Sequence, residues 1–139
     1  MASVRSTETK PEIAVRKYLF SKGYRFRKNV KSLPGKPDIV LPKYKIAILV
    51  HGCFWHGHKD CDAATIPKSN QAYWKNKIEN NIERDERNKS ALKKLGWNVF
   101  TIWECKLKNK KAFEKERKRL ISIIKQIKTI PYPLISYNS

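Results

Sequence analysis

The residues most able to do chemistry are concentrated between positions 51 and 61. This stretch reads His-Gly-Cys-Phe-Trp-His-Gly-His-Lys-Asp-Cys, and it contains all 3 histidines of the chain and two of its 3 cysteines. Two adjacent aromatic residues lie between these ligand-type side chains. An aliphatic core would not use thiols and imidazoles at this density, and a solvated loop would not use a Phe-Trp pair. We therefore interpret the stretch as an active-site loop held by a metal ion.

A set of cysteine and histidine residues has the composition of a zinc site. Its members are Cys53, His58, Cys61 and Cys105. The first three are spaced C-x₄-H-x₂-C, and a closed set of four such ligands is typical of structural rather than catalytic zinc. Two alternatives stay open at this point. The cysteines could be small core residues, or Asp60 or Asp62 could replace one ligand.

A second constellation has the composition of a hydrolytic site. Asp38 begins one predicted strand, and His51 follows the next. Many metal-dependent nucleases place a Glu-x-Lys on that second strand, but residues 46–50 carry no charge. A hard cation such as Mg²⁺ can bind Asp38 and a backbone carbonyl while it keeps several waters, and it stabilises charge that develops on a phosphate. His51 and His56, with ordinary pKa values of about 6.5, are suited to remove a proton from the attacking water. Each residue also has a structural explanation, since Pro-Asp often marks a turn and a histidine can cap a strand.

The overall charge indicates a polyanionic partner. Lys and Arg number 31 against 12 acidic residues, which gives a formal charge of +19. Such an excess favours nucleic acid as the partner. There is no run of about 18 apolar residues, and the first ten residues contain no hydrophobic segment. We therefore expect a cytoplasmic protein whose cysteines are thiols rather than disulfides.

The predicted elements form an α/β plan. Thr9 and Glu12 make a capping box for a first helix that Gly23 ends, and this role alone would account for Glu12. The apolar run 46–50 is typical of a central strand that is covered on both faces. Helix, strands, long helix, strand and helix predict one mixed sheet between helices. The other expected elements are strands at 24–30, 38–41 and 97–103 and helices at 69–95 and 111–128.

The long predicted helix is polar on every side between residues 83 and 90. Pairs such as Glu83 with Arg87 and Asp85 with Lys89 are expected to support this exposed stretch.

By length, residues 1–139 are expected to form a single domain. Residues 1–8 are expected to be a short arm before the first helix, and residues 129–139 a loosely held tail.

Three motifs, taken in order, resemble those of the very-short-patch-repair (Vsr) endonucleases. They are residues 33–38 (Leu-Pro-Gly-Lys-Pro-Asp), residues 51–58 and residues 102–105 (Ile-Trp-Glu-Cys). The resemblance runs over roughly residues 9–108. It implies a restriction-endonuclease-like α/β fold with a zinc-stabilised loop. It also implies a nick on the 5′ side of the thymine of a T:G mismatch, the lesion left when 5-methylcytosine deaminates.

The resemblance also implies roles for the candidate catalytic residues. Asp38 corresponds to the Mg²⁺ ligand, together with the backbone carbonyl of Val50. His56 corresponds to the general base, and His51 to the residue that orients a water bound to the metal. Glu12 matches an active-site carboxylate on the first helix.

Further residues match the zinc ligands and the DNA-contacting positions of the family. Phe54, Trp55 and Trp74 match rings that are inserted into the DNA stack beside the mismatch, although Trp74 alone could equally be a core tryptophan. Such a wedge selects mispaired steps because they resist unstacking less. Lys77 and Asn81 match positions that contact the mismatched bases. The structural zinc set is the one already named from its spacing: Cys53, His58, Cys61 and Cys105.

Two departures from the family pattern bear on specificity. Many members carry a longer basic N-terminal segment, whereas Arg5 is the only basic residue before the predicted helix, so the minor-groove clamp is expected to be reduced or absent. A threonine of some relatives is Val50 here, which removes a hydroxyl but leaves the carbonyl.

The leading hypothesis is a monomeric Mg²⁺-dependent, strand-nicking DNA repair endonuclease with a functional link to a cytosine-5 methyltransferase and mismatch-repair proteins. The alternatives are a nicking endonuclease of a restriction system and a non-catalytic zinc-stabilised DNA-binding module.

Overall fold

The computed structural model describes residues 10–129, with the side chains of residues 10–127. It contains three α-helices and four strands within these residues. In chain order they are α1 (Lys10–Ser21), β1 (Arg27–Lys28), β2 (Ile39–Leu41), β3 (Ile46–His51), α2 (Gln71–Lys94), β4 (Asn98–Trp103) and α3 (Lys110–Thr129). The expected capping contact of Thr9, the arm at 1–8 and all but the first residue of the expected tail lie outside the described residues.

The four strands form one mixed sheet in the order β1-β2-β3-β4. β1 pairs with β2 and β2 with β3 in antiparallel fashion, whereas β3 and β4 are parallel. A parallel pair needs a long crossover, and α2 supplies it between β3 and β4. The predicted α/β architecture, a mixed sheet flanked by helices, is confirmed.

The two faces of the sheet are covered by different helices. Successive side chains of a strand point to opposite faces. Ile46 and Ile48 of β3 belong to the core cluster that α1 and α3 cover with residues such as Leu19 and Ile124. His51 has the opposite parity and lies with residues of α2 along one cleft. β3 is buried along nearly its whole length, as its uncharged sequence predicted.

The strand expected at 24–30 is shorter in the structure. Only Arg27 and Lys28 pair with β2, opposite Val40 and Ile39. Beyond them the contact continues without a regular ladder: the N–H of Asn29, whose φ is 51°, donates to the carbonyl of Asp38, and the N–H of Val30 donates to that of Pro37. The period-two pattern of this segment nevertheless has a structural basis, because Tyr24 and Phe26 pack against the core from one side.

The remaining elements lie close to their expected bounds. Gly23, with a φ of 84°, follows the end of α1 as predicted, and the N–H of Tyr24 returns to the carbonyl of Leu19. α2 begins two residues later than expected and ends one residue earlier. No helix in the described part of the chain combines the length and apolar character needed to cross a bilayer.

Candidate active site and metal centre

A cleft of about 520 Å³ lies beside the end of β3, on the face of the sheet that α2 covers. Five of its lining residues are Asp38, Val50, His51, His56 and Asp85. Asp38 directly precedes β2 and His51 ends the neighbouring β3, so the antiparallel pairing of these two strands brings them together. His56 comes from the loop that follows β3. The side chains of Asp38 and His56 therefore face one space.

The loop between β1 and β2 forms the wall of the cleft opposite α2. Gly35 in this loop has a φ of 73°, and a Cβ added there would lie 2.9 Å from the Cβ of Asn88 on α2. Only glycine permits both the backbone conformation and this close approach. The loop and the helix therefore approach each other closely at this edge of the cleft.

Asp38 is held by a backbone hydrogen bond and by a second carboxyl group. The N–H of Val50 donates to Asp38 Oδ2 at 2.7 Å. Burial raises the pKa of Asp38 to about 7, and although the Val50 bond opposes this shift, the adjacent carboxyl of Glu12 adds to it. Glu12 is only 1% exposed, and it lies 3.8 Å from the guanidinium of Arg16. Two carboxyl groups that face each other away from water favour a bound cation, and oxygen donors suit a hard one such as Mg²⁺.

The two cleft histidines lie face to face. The ring centroids of His51 and His56 are 3.8 Å apart and their planes differ by 2°. Burial and the neighbouring His56 lower the pKa of His51 to about 3, so His51 is neutral at physiological pH. Among the described residues, the buried Nδ1 of His51 has no hydrogen-bond partner. His51 thus presents an uncharged polar atom in a cleft that also holds the charged side chains of Asp85 and Arg84.

His56 is oriented by Asp85, a residue that sequence reasoning missed. Its Nδ1 lies 2.6 Å from Asp85 Oδ2. Burial acts to raise the pKa of Asp85, but the hydrogen bond and charge of His56 hold it below its usual value. An ionised carboxylate only accepts hydrogen bonds, so His56 donates from Nδ1, and Nε2 remains the ring nitrogen available to a reacting group. A histidine oriented in this way is suited to general acid–base chemistry.

The prediction of an ion pair between Asp85 and Lys89 is wrong. The carboxylate of Asp85 is directed to His56, and Lys89 instead lies 3.9 Å from Glu86. The signal for Asp85 was present in the sequence, because Trp74, Ile78, Asn81 and Asp85 follow one another at steps of four, three and four. These residues share one face of α2, and that face meets the loop containing His56.

The expected zinc ligands come together in the structure. The ligand atoms of the group Cys53, His58, Cys61 and Cys105 all lie within 4.8 Å of one another. The cysteines are therefore not dispersed core residues. Asp60 and Asp62 are exposed and lie outside this group, so the Cys₃His composition accounts for a four-ligand site without them.

The chemistry of this cluster fits a thiophilic cation. Cys105 Sγ lies 3.5 Å from His58 Nδ1. Burial raises the pKa of Cys53 to about 12, and the thiols of Cys105 and Cys61 add to the shift. Thiols packed this closely cannot all ionise unless a cation compensates them. These four residues would hold a zinc ion, which would stabilise the thiolate form of the cysteines.

Trp103 connects the cysteine cluster with the cleft. Its ring is stacked on that of His58, with centroids 4.1 Å apart and planes 8° from parallel. The same ring meets His51 edge-on at 5.2 Å. Because His51 and Trp103 are partners in the parallel register of β3 and β4, this contact follows from the sheet. Any ion that fixes His58 also restrains Trp103 and, through it, His51.

An aromatic cluster borders the site on the surface. Phe54, Trp55 and Trp74 contact one another with ring centroids 5.2 to 5.7 Å apart. Trp55 is 36% exposed, and Asn81 Nδ2 donates to the carbonyl of Trp55 at 2.8 Å. Trp74 is half-buried within this group, so it is not a core tryptophan. Lys77 lies exposed on α2, one turn before Asn81.

The loop that carries these rings sits tightly on α2. Gly57 has a φ of 58°, and a Cβ there would lie 2.7 Å from side-chain atoms of Ile78 and Ile82. The N–H of His58 donates to the carbonyl of Cys53 at 2.9 Å, which closes a tight turn. The aromatic residues and His56 are thus positioned by a loop fixed at its base.

The cleft brings a buried carboxylate together with a histidine that is paired with a second carboxylate, a constellation suited to a hydrolase. The family described as "DNA mismatch endonuclease Vsr" matches residues 1–63. The type II nicking enzyme V.NmeAIP of Neisseria meningitidis is 51% identical over 125 residues, covering 90% of this chain and 89% of that protein. The type II nicking enzyme V.XorIIP of Xanthomonas oryzae is 48% identical over 121 residues, covering 87% and 88%.

The DNA mismatch endonuclease Vsr of Escherichia coli is a further relative. It is 38% identical over 116 residues, which cover 84% of this chain and 74% of that protein. The chain therefore belongs to the Vsr family of DNA endonucleases.

Proposed function

We propose that this protein is a Mg²⁺-dependent endonuclease that nicks one DNA strand on the 5′ side of the thymine of a T:G mismatch. The observation that carries the proposal is the convergence of Asp38, whose carboxyl interacts with the buried Glu12, with the paired His56 and Asp85 in one cleft. The name of the Escherichia coli relative, which specifies DNA mismatches, supports the choice of substrate.

Asp38 and Glu12 would hold the magnesium ion, with the backbone carbonyl of Val50 as the further expected ligand. When bound, the ion supplies Lewis-acid stabilisation of the charge that develops on the phosphate. Without a cation, Asp38 is half-protonated near pH 7 because its pKa is about 7. Ionised Asp38 alone would repel a phosphodiester, so its presence in a DNA-binding cleft argues for cation binding rather than for a non-catalytic module.

His56 would act as the general base. Asp85 accepts the Nδ1 proton, so Nε2 can take a proton from the attacking water, and the carboxylate then stabilises the imidazolium. His51 stays neutral, since its pKa is about 3. Its ring, stacked on His56, would orient water in the cleft without competing for the proton.

The aromatic cluster would recognise the mismatch by deforming the duplex. Phe54, Trp55 and Trp74 form a contiguous apolar wedge that is partly exposed beside the cleft. Unstacking costs a few kcal/mol per step, less at a mispaired step. Lys77 and Asn81 lie on the α2 surface beside the wedge and would contact the mismatched bases.

A second candidate is a nicking endonuclease of a restriction system that acts on matched sequence. It is favoured by the relatives at 51% and 48% identity, which are named type II nicking enzymes. The two candidates share the cleft chemistry and differ only in what the wedge selects.

We further propose that the protein acts in the cytoplasm, in association with the nucleoid, as a monomer with one active site per nick. A cytosine-5 methyltransferase and mismatch-repair proteins would be its functional partners.

A nicking assay tests the proposal. Labelled duplexes containing T:G or C:G in varied contexts are incubated with Mg²⁺ or with EDTA. We expect Mg²⁺-dependent nicking of the T:G duplex and a loss of at least about a hundredfold in Asp38→Asn, because metal stabilisation is worth several kcal/mol and each 1.4 kcal/mol is tenfold. The matched control, Asp62→Asn, removes an exposed carboxylate outside the cleft.

Two results would count against the proposal. Unchanged nicking by Asp38→Asn with Mg²⁺ would refute the catalytic assignment. Equal nicking of the T:G and C:G duplexes would leave the cleft assignment intact and favour the restriction-system candidate instead.

A further inference from the structure

A groove between α1 and α3 lies on the face of the sheet opposite the cleft. Its volume is about 730 Å³. Ile46 and Ile48 point to this side and pack against α1 and α3, whereas His51 points to the cleft. The sheet therefore separates the groove from the aromatic wedge and from the nicking site, and neither site contributes residues to the other.

Cations from both helices face this groove. Lys22 follows the end of α1, and Lys118 and Lys125 lie one above the other on α3 at a spacing of seven residues. No acidic side chain lines the groove within the part of the chain that the structure describes. Glu114 lies 3.3 Å from Lys118, but these side chains are 56% and 77% exposed, and such pairs contribute little. The groove is therefore a positive surface that suits a polyanion.

Aromatic and apolar groups accompany these cations. Tyr18 and Tyr24 line the groove together with Ile121, and all three are half-buried. The guanidinium of Arg117 lies 4.9 Å from the ring centroid of Tyr18, and Lys22 Nζ lies 5.8 Å from it. Tyr24 and Ile121 pack against the core with part of their surface and present the rest to the groove, beside the lysines.

We propose that the groove between α1 and α3 binds single-stranded DNA, with phosphates on Lys22, Lys118 and Lys125 and bases against Tyr18 and Tyr24. Positive grooves with interleaved aromatic rings are the general solution for binding a strand whose bases are unstacked. A duplex keeps its base faces stacked and would leave the tyrosines and the apolar side chain unused. This second site is independent of the proposed nicking activity, and a strand can occupy it while a duplex occupies the cleft.

The lysines are tested by a matched pair of triple variants of the full chain. The groove variant combines Lys22→Gln, Lys118→Gln and Lys125→Gln. The control variant combines three substitutions at exposed positions elsewhere: Lys93→Gln, Lys94→Gln and Lys108→Gln. Binding of fluorescein-labelled oligo-dT is measured by anisotropy over a range of salt concentrations.

We expect the log–log salt slope to become shallower by about 2 in the groove variant, since each phosphate contact on a single strand contributes about 0.7. The control variant, with the same net charge, should keep most of the wild-type slope. Equal losses in both variants would overturn the proposal, because they would show that only the overall charge attracts the strand.

The rings are tested separately. Tyr18→Leu should weaken oligo-dT binding about fivefold or more, whereas Tyr18→Phe should bind as the wild type does, since the ring is retained. Thermal unfolding identifies any variant that fails to fold. Photo-crosslinking with an oligonucleotide that contains iododeoxyuridine should label peptides from α1 and α3. Crosslinks confined to residues 51–61 or α2 would refute the site.

The nicking assay separates this proposal from the proposed function. The groove variant should nick T:G duplex at the wild-type rate, because none of its three lysines lines the cleft. If wild-type protein showed no nicking at all, oligo-dT binding by the groove could still be measured, and that measurement alone would support or refute the groove as a binding site.

Discussion

The hydrogen bond between His56 and Asp85 is the contact on which the residue-scale chemistry depends. At 2.6 Å it fixes the proton on Nδ1 of His56. Asp85→Asn would keep the shape but replace an ionised acceptor with an amide, which cannot stabilise an imidazolium. We expect the kcat for nicking to fall by about 10²–10⁴, the range for lost acid–base catalysis, while the KM for DNA changes little. Single-turnover kinetics on T:G duplex measure this effect.

A neighbouring carboxylate provides the control for that prediction. Glu86 follows Asp85 on α2, and its side chain is 70% exposed, so Glu86→Gln should nick at the wild-type rate. Wild-type kcat in Asp85→Asn would show that His56 does not depend on its carboxylate partner.

Sequence reasoning found most of the residues in the site but not the contact that activates one of them. Asp38, His51 and His56 lie in the cleft as expected, because strand ends and a short loop place them by local geometry. Asp85 is 29 residues from His56 in sequence. Its local alternative, a pair with Lys89 one turn away, needed no knowledge of tertiary structure and was therefore preferred.

The cluster of Cys53, His58, Cys61 and Cys105, as a zinc site, would act on the fold at the scale of elements. It joins the loop after β3 to the segment after β4 through Cys53, Cys61 and Cys105. Cys105→Ser removes one thiolate ligand. We expect the zinc content of the purified protein to fall from about one per chain and the Tm to drop by several degrees, because binding energy in a structural zinc site is folding energy. Elemental analysis and calorimetry measure the two effects.

The Cys105→Ser substitution should also affect the active site. Trp103 stacks on His58 and contacts His51, so loosening His58 should lower nicking as well as stability. Glu104→Gln, one residue earlier in the chain, is the matched control and should keep its zinc. A Cys105→Ser protein with full zinc content and unchanged Tm would refute the four-ligand set.

Element types could be predicted from sequence better than element ends. β3 and α2 follow from an uncharged apolar run and a long helical pattern, and both are observed near their expected bounds. β1 is reduced to two residues because Asn29 adopts a left-handed conformation, and the hydrogen bonds from the N–H groups of Asn29 and Val30 to Asp38 and Pro37 do not continue a regular ladder. The alternation of residues 24–30 reflects the burial of Tyr24 and Phe26 on one side of the segment. Burial alone does not specify a regular strand ladder.

At the scale of the whole molecule, the positive charge is distributed over both faces of the sheet. The formal charge of +19 includes Arg84 and Lys36 beside the cleft and Lys22 and Lys125 in the α1–α3 groove. The sequence predicted a nucleic-acid partner from this excess, but not its division between two faces. That division depends on which side of the sheet each helix covers, which composition does not encode.

The stability of the whole protein should depend on pH through two buried groups with opposite effects. The pKa of Asp38 is raised from 3.8 to about 7. Between these pH values the folded protein binds more protons than the unfolded chain, so this contribution to stability falls as pH rises. The pKa of His51 is lowered from 6.5 to about 3. Here the unfolded chain binds more protons, so this contribution rises with pH.

Between about pH 4 and pH 6.5 the two contributions oppose each other, and single variants should separate them. Asp38→Asn should gain stability as pH rises through this window, because only His51 remains. His51→Gln should lose stability over the same window and on to about pH 7, because only Asp38 remains. Each pKa unit corresponds to about 1.4 kcal/mol, so the stability of each variant should change by up to about 3 kcal/mol over this window, in opposite directions. Urea unfolding midpoints without added Mg²⁺ measure this divergence, and parallel pH profiles in the two variants would contradict it.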